Sequence, residues 1–243
     1  MRYFIECAYR GTKYSGWQIQ INALAVQEEI EKALSILLKH EIALTGSSRT
    51  DAGVHAIQQF AHFELEEEIQ NCDNLVYRMN KLLPFDISVQ KVFKVDDDYH
   101  SRFNAVSRKY EYRISRIKNP FNKGLSYEFN GDLNIELMNE ACQILFRYVD
   151  YQCFSKINTD VLTFNCEILE AHWQEEKNDL LVFHIKANRF LRGMVRAIVG
   201  TLLEIGVGKM PISDFEDIIL SKDRKKAGRA VPAEGLFLME VNY

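Results

Sequence analysis

The sequence predicts an α+β protein built from two ferredoxin-like halves. The order strand, helix, strand, strand, helix, strand occurs twice along the chain, with one extra helix near the end, and each run matches the split β-α-β unit. The length of 243 residues leaves room for two domains of ordinary size. We set the halves at 1–104 and 105–243. Two such units can join their antiparallel sheets edge to edge, which removes an exposed edge from each and leaves a cleft between them.

In the first half, residues 2–9 are rich in aromatic and apolar side chains and read as a strand ending at Gly11. Residues 24–40 read as a helix, because Val26, Ile30, Ala33, Leu34 and Leu37 recur at helical spacing and Lys39 and His40 suit its negative end. A short strand at 42–44 leads into a polar turn, and 57–65 form the next strand. Asp73 can cap a helix carrying Leu75, Met79, Leu82 and Leu83, which Pro84 ends. Ile87, Val89, Phe93 and Val95 alternate and close the half as a strand.

The second half opens with a strand at 109–117. Asn134 can cap a helix with Met138, Ala141, Leu145 and Tyr148 on one face. Residues 164–174 and 180–187 form a hairpin with Lys177-Asn178-Asp179 in its turn. Asn188 can cap a helix with Leu191, Val195, Ile198 and Leu202 inward, and Ser213-Asp214-Phe215-Glu216 fits a capping box opening a further helix. A strand at 236–241 ends the pattern.

Composition narrows the class. A 47% hydrophobic chain can bury a core, and no run of about 18 uncharged apolar residues is available to span a membrane. Glu6 interrupts any signal-peptide core, so the expected location is cytoplasmic. The five cysteines are widely spaced without a C-x-x-C pair, which suggests neither a zinc knuckle nor a disulfide framework. Asp96-Asp97-Asp98 reads as a solvated loop and cap rather than a Mg²⁺ site, and no metal or cofactor motif is present. Net charge is −4, mildly against nucleic acid. The charge is uneven, however: acid gathers at 64–68 and base at 108–118, 186–196 and 222–229. An acidic protein can still present a basic groove, because potential is local beyond about a Debye length.

The most informative segment is Ser47-Ser48-Arg49-Thr50-Asp51-Ala52-Gly53-Val54-His55. Arg49 and Asp51 sit two residues apart in a stretch too short and polar to be core. A nearby guanidinium favours the charged form of a carboxylate, and a charged carboxylate held on a turn is a nucleophile or base. The same residues are also ordinary turn chemistry, with Asp or Thr bonding the backbone two residues on. Arg189, Arg192 and Arg196 fall at i, i+3 and i+7 of the predicted helix with no acidic residue three or four positions away. They suit phosphate contact, or equally a solvated face. Tyr110, Tyr112 and Ile114 share a strand face. Tyr110 could stack on a base, or both tyrosines could be core; at least one is expected there.

Together with Gly16-Trp17-Gln18, Val26-Gln27-Glu28, Asp97-Asp98-Tyr99-His100-Ser101-Arg102-Phe103, Arg108-Lys109-Tyr110-Glu111-Tyr112-Arg113, residues 190–208 and Ala233-Glu234-Gly235-Leu236, this segment resembles the tRNA pseudouridine synthase A family, in order and over almost the whole chain. The resemblance implies a pseudouridine synthase fold, in which the two halves share one mixed, mostly antiparallel sheet with helices on one face and a catalytic cleft between the halves. It implies a homodimer that converts uridine to pseudouridine in the anticodon stem-loop of tRNA, without metal or cofactor. Asp51 matches the family's catalytic Asp, as nucleophile or initiator of glycosidic cleavage. Arg49 matches the Arg that helps extrude the nucleotide, Tyr110 the active-site Tyr, Arg196 the Arg that pairs with the Asp, and Leu236 an apolar residue lining the uracil pocket. Arg189 and Arg192 are the added candidates for phosphate contact.

Several positions depart from the family pattern. Ser48 stands where a Gly is usual, which would strain a loop needing positive φ. Ile19 replaces a usual Arg, Gly193 a usual His and Ala197 a usual Asn, and the 163–165 region lacks a usual basic residue. These losses leave a non-catalytic or retargeted RNA-binding paralogue as the alternative reading.

Overall fold

A computed structural model describes residues 1–157, 161–177 and 179–243. The chain divides into two units: Met1–Val106 with Phe237–Tyr243, and Ser107–Leu236. The last strand, placed with the second half from sequence order, therefore groups with the first unit.

The first unit contains β1 (Arg2–Tyr9), α1 (Val26–Leu38), β2 (Thr45–Gly46), β3 (His55–Glu64), α2 (Cys72–Leu82) and β4 (Ile87–Val95). β1 lies antiparallel between β4 and β3, and β2 pairs with β3, so the order β4-β1-β3-β2 is that of a ferredoxin-like sheet. The second unit contains β5 (Ser107–Ser115), β6 (Tyr127–Glu128), α3 (Ile135–Ile144), β7 (Ile168–Glu176), β8 (Leu180–Ala187), α4 (Met194–Gly206) and α5 (Ile212–Ser221). Its antiparallel strands run β5-β8-β7, with β6 beside β5. β9 (Leu236–Asn242) aligns Phe237 and Leu238 in parallel with His55 and Ala56 of β3. The α+β class is as the sequence predicts, and the βαββαβ order recurs with the expected extra helix, α5, and an unexpected short strand, β6.

Several local expectations change. The segment 42–44 is not a strand, because its backbone is held by side chains of α1: Ser35 Oγ accepts from Ile42 N, Glu31 Oε1 accepts from Leu44 N, and Gln27 Nε2 donates to Leu44 O. Asn71, not Asp73, caps α2, accepting from Asn74 N at 2.8 Å. The alternation in β4 breaks at a bulge. Glu6 faces Lys91 while Cys7 faces Val89, leaving Gln90 extra. One extra residue exchanges the two faces of a strand. Val92 is thus buried, and Phe93 joins an aromatic cluster around Phe4 that includes Phe60, Tyr99 and Tyr243. Tyr3, Phe4 and Ile5 are all fully buried, so β1 is covered on both faces.

In the second unit Asn134 caps α3 as expected, but the α-helix stops at Ile144 and a 3₁₀ turn carries Leu145. The hairpin strand begins at Ile168 rather than 164. Of the expected turn, Asn178 lies outside the described residues; Asp179 has φ +56°. α5 opens at Ile212 after Pro211, so Ser213 sits in the first turn and the expected capping box does not form. Asn188 caps no helix. Its Oδ1 accepts from Glu167 N and its carbonyl from Arg108 Nη1.

His62 of β3 is buried in the aromatic cluster, with Nδ1 2.8 Å from Ser101 Oγ. Burial, and then the charge of Arg2, push it from its ordinary 6.5 down to about 4. The unfolded chain therefore takes up this proton first. Stability from a neutral His62 is complete above 6.5 and is lost as pH falls from 6.5 towards about 4. Urea midpoints measured across that interval should fall more steeply for the wild type than for His62→Gln. Equal slopes would show that His62 is not the source.

Candidate active site

The turn at 47–54 is fastened on both flanks. Ser47 N donates to Phe60 O at 2.7 Å, Ser47 Oγ donates to Gln59 Oε1, and Gln59 Nε2 donates to Ser48 O. Thr50 O accepts from Trp17 N at 3.2 Å, and Thr50 Oγ1 lies 2.8 Å from the Tyr9 hydroxyl. Gly53 N donates to Tyr14 O, and Val54 N closes the turn on Asp51 O at 3.1 Å. His55, buried and stacked on Phe237 at 4.5 Å, accepts at Nδ1 from Gly11 N. The segment 10–17 is thus a strap along the turn. Gly16 O and Trp17 O in turn accept from Val26 N and Gln27 N at the start of α1.

Asp51 is held half-buried at the apex, and Arg49 is exposed beside it. The potential strain at Ser48 does not arise. Among the described residues, the non-glycine positions with positive φ are Asn22, Lys39, Asp179 and Lys222. Ser48 needs no glycine-like backbone here.

Tyr9, Trp17 and His55 support the turn, yet sequence reasoning gave Tyr9 and His55 no role in it. Period-2 patterning marks Tyr9 only as a core residue of β1; nothing in the pattern shows that its hydroxyl reaches residue 50. Tyr9→Phe should leave the buried Thr50 hydroxyl without this partner, cost about 1 kcal/mol, and slow single-turnover reaction severalfold at unchanged substrate affinity. A lower melting temperature with an unchanged rate would reduce the pair to a structural role.

In the second unit, Tyr110 of β5 is 8% exposed and meets Phe190 edge-to-face at 5.1 Å. Tyr112, fully buried, lies deeper still, so both tyrosines are in the core. The Tyr112 hydroxyl donates to Pro232 O at 2.8 Å. Burial pushes its phenol well above the usual range. Leu236, buried, follows the 3₁₀ turn Ala233–Gly235. Arg196 lies in the first turn of α4, and its Nε donates to Val231 O at 2.7 Å while its own carbonyl accepts from Val231 N.

The three arginines do not form a helical stripe. α4 begins at Met194, after Gly193 at φ +73°, so Arg189 and Arg192 precede the helix. Arg192 instead offers its carbonyl to Lys156 N. Helical spacing fitted the apolar residues through Leu191 by coincidence, and the left-handed residue that interrupts it has no periodic signal.

Among the described residues no group of three or more His, Cys, Asp or Glu side chains could hold a metal ion, and no helix is long and apolar enough to cross a membrane. All five cysteines are free. Burial pushes Cys153 up to about 12 and Cys166 to about 11, which leaves these thiols poor nucleophiles.

Comparison with known proteins gives one answer. The family model for tRNA pseudouridine synthase matches residues 7–104 and 141–243. The chain is 50% identical over 242 residues to a tRNA pseudouridine synthase A of Parabacteroides distasonis, covering all of this chain and 96% of that protein. It is 49% identical, at the same coverage, to that of Bacteroides fragilis. It is 38% identical to that of Ruminiclostridium cellulolyticum, over 97% of this chain and 96% of that one. The chain belongs to the tRNA pseudouridine synthase family.

Proposed function

We propose that this protein isomerises uridine to pseudouridine in the anticodon stem-loop of tRNA, with Asp51 as the catalytic residue. The supporting observation is the Asp51 turn. It carries the family's Arg-Thr-Asp run at its apex, in a chain that matches synthases along its whole length, and hydrogen bonds fasten it from both sides. In the reaction the bond from ribose C1′ to N1 breaks and a bond from C1′ to C5 forms. The C5 hydrogen leaves as a proton and N1 gains one, so product and substrate are isomers. Asp51 starts the glycosidic cleavage.

Arg49, exposed next to Asp51, fills the place of the extruded nucleotide and so offsets the few kcal/mol that flipping costs. Tyr110 stacks on the detached base, Leu236 lines its pocket, and Arg196 takes the part of the family's Asp-pairing Arg. Arg189 and Arg192 contact phosphates from the loop ahead of α4. The active species is a homodimer and works in the cytoplasm. Mass spectrometry with chemical mapping of pseudouridine, in tRNA from cells with and without the protein, tests this. Anticodon-arm pseudouridine should disappear in the deletion strain; an unchanged tRNA map would overturn the assignment.

A further inference from the structure

We propose that Phe85, with Lys13 and Arg10, is an auxiliary contact that stacks on a nucleobase of the RNA substrate outside the uridine pocket. The proposal rests on the functional reading above and adds to it a binding surface.

Phe85 is 85% exposed, although its neighbours Leu83 and Ile87 are buried. Burying a phenylalanine is worth roughly 1.5–3 kcal/mol, and the free protein forgoes most of that here. The ring does not swing on a loose loop. Ile87 N donates to Pro84 O at 3.0 Å, and Arg10 N donates to Asp86 O at 2.8 Å. The Tyr14 hydroxyl donates to Asp86 Oδ1 at 2.7 Å. A ring presented on a fixed turn loses little freedom when a ligand covers it.

The charge around the ring fits an RNA occupant. The Lys13 ammonium stands 4.7 Å from the ring centroid, and Arg10 is exposed at the head of the same 3₁₀ turn. The carboxylate of Asp86 is buried and is bonded to Tyr14 and faced by Lys13 Nζ at 3.8 Å, so it does not confront an incoming phosphate. On α2 the pairing recurs, with Lys81 Nζ 5.4 Å from the ring of exposed Tyr77. Cations that track a phosphate chain, beside aromatic faces that accept any base, are the combination used by single-strand RNA readers.

Position ties the platform to catalysis. Gly11 and Tyr14, on either side of Lys13, make the backbone contacts to His55 and Gly53 that fasten the Asp51 turn. A nucleotide on Phe85 would therefore lie on the strap that positions the catalytic carboxylate.

The test measures binding of a tRNA transcript, pseudouridine formation and oligomeric state for the wild type, Phe85→Ala, Phe85→Trp and Lys13→Gln. Phe85→Ala should weaken tRNA binding roughly tenfold, as loss of one base-stacking contact does, with kcat at saturation within about twofold. Phe85→Trp should restore affinity, and its emission should change on adding tRNA. The native Trp17 and Trp173 are buried, so the wild type provides the blank. Lys13→Gln should lower the slope of log K against log salt by about one. The platform is overturned if Phe85→Ala binds tRNA as tightly as the wild type. It is equally overturned if that variant only shifts the oligomeric state in sedimentation, which would mean the ring covers a second copy. In both cases pseudouridine formation by the wild type leaves the functional reading standing. A wild type that neither binds tRNA nor forms pseudouridine removes both.

Discussion

Asp51→Asn should abolish pseudouridine formation while leaving tRNA affinity within about threefold of the wild type, because phosphate contacts dominate such affinity. The substitution keeps the size and planarity of the side chain. It also keeps the backbone fastenings of the turn, in which Val54 N donates to the Asp51 carbonyl, Trp17 N to the Thr50 carbonyl and Gly53 N to the Tyr14 carbonyl. The amide is no nucleophile and no base, so the loss should fall on kcat. A drop of about four orders of magnitude would correspond to roughly 5.5 kcal/mol of transition-state stabilisation. Release of the C5 hydrogen from labelled uridine in a tRNA transcript reads the turnover, and filter binding reads the affinity. Turnover retained in this variant would overturn the role of Asp51. A wild type that binds tRNA with no turnover would favour the non-catalytic paralogue.

The departures from the family pattern look milder in the structure than in the sequence. Ser48 occupies ordinary backbone, and Ile19 is 43% exposed. Ala197 is buried within α4, where its carbonyl accepts from the Thr201 hydroxyl. Space is open around Gly193 for a Cβ, although its φ of +73° disfavours one.

The fold was legible in the sequence where burial follows a regular period. β1, α1, α3 and β8 were found within a few residues because Val26, Ile30, Ala33 and Leu34, or Met138 and Ala141, repeat with the helix. It was illegible where one residue breaks the period. Gln90 in the β4 bulge and Gly193 before α4 each exchange faces or stop an element without changing composition. The site divides in the same way. Arg49 and Asp51 lie two residues apart in the chain and carry a motif. The strap that holds them is made of backbone amides from 11–17 and the hydroxyl of Tyr9, and backbone bonding between distant segments leaves no trace in side-chain pattern.

Gly16 is where that hidden strap should fail most sharply. Its φ is +103°, and a Cβ added there would sit 2.4 Å from the Thr50 carbonyl oxygen and 3.1 Å from the Asp51 carbonyl carbon. Both obstacles are backbone, so no side chain can swing aside. The next residue donates from Trp17 N to Thr50 O, and Gly16 O accepts from Val26 N at the head of α1. Gly16→Ala must therefore move the Asp51 turn, the helix start, or both. Backbone strain of this kind costs on the order of 1–3 kcal/mol, and a displacement near 1 Å at a reacting group costs roughly a hundredfold in rate. Urea denaturation should show the stability loss, and single-turnover kinetics on fully folded enzyme should show the rate loss. Gly208→Ala separates the two effects: its φ is +73° with nothing within 4 Å of the new Cβ, so it carries a backbone penalty without the collision. That variant should lose about 1 kcal/mol and keep its rate. If Gly16→Ala also keeps its rate once folded, the strap stabilises the unit without positioning Asp51, and catalytic geometry must be held from elsewhere.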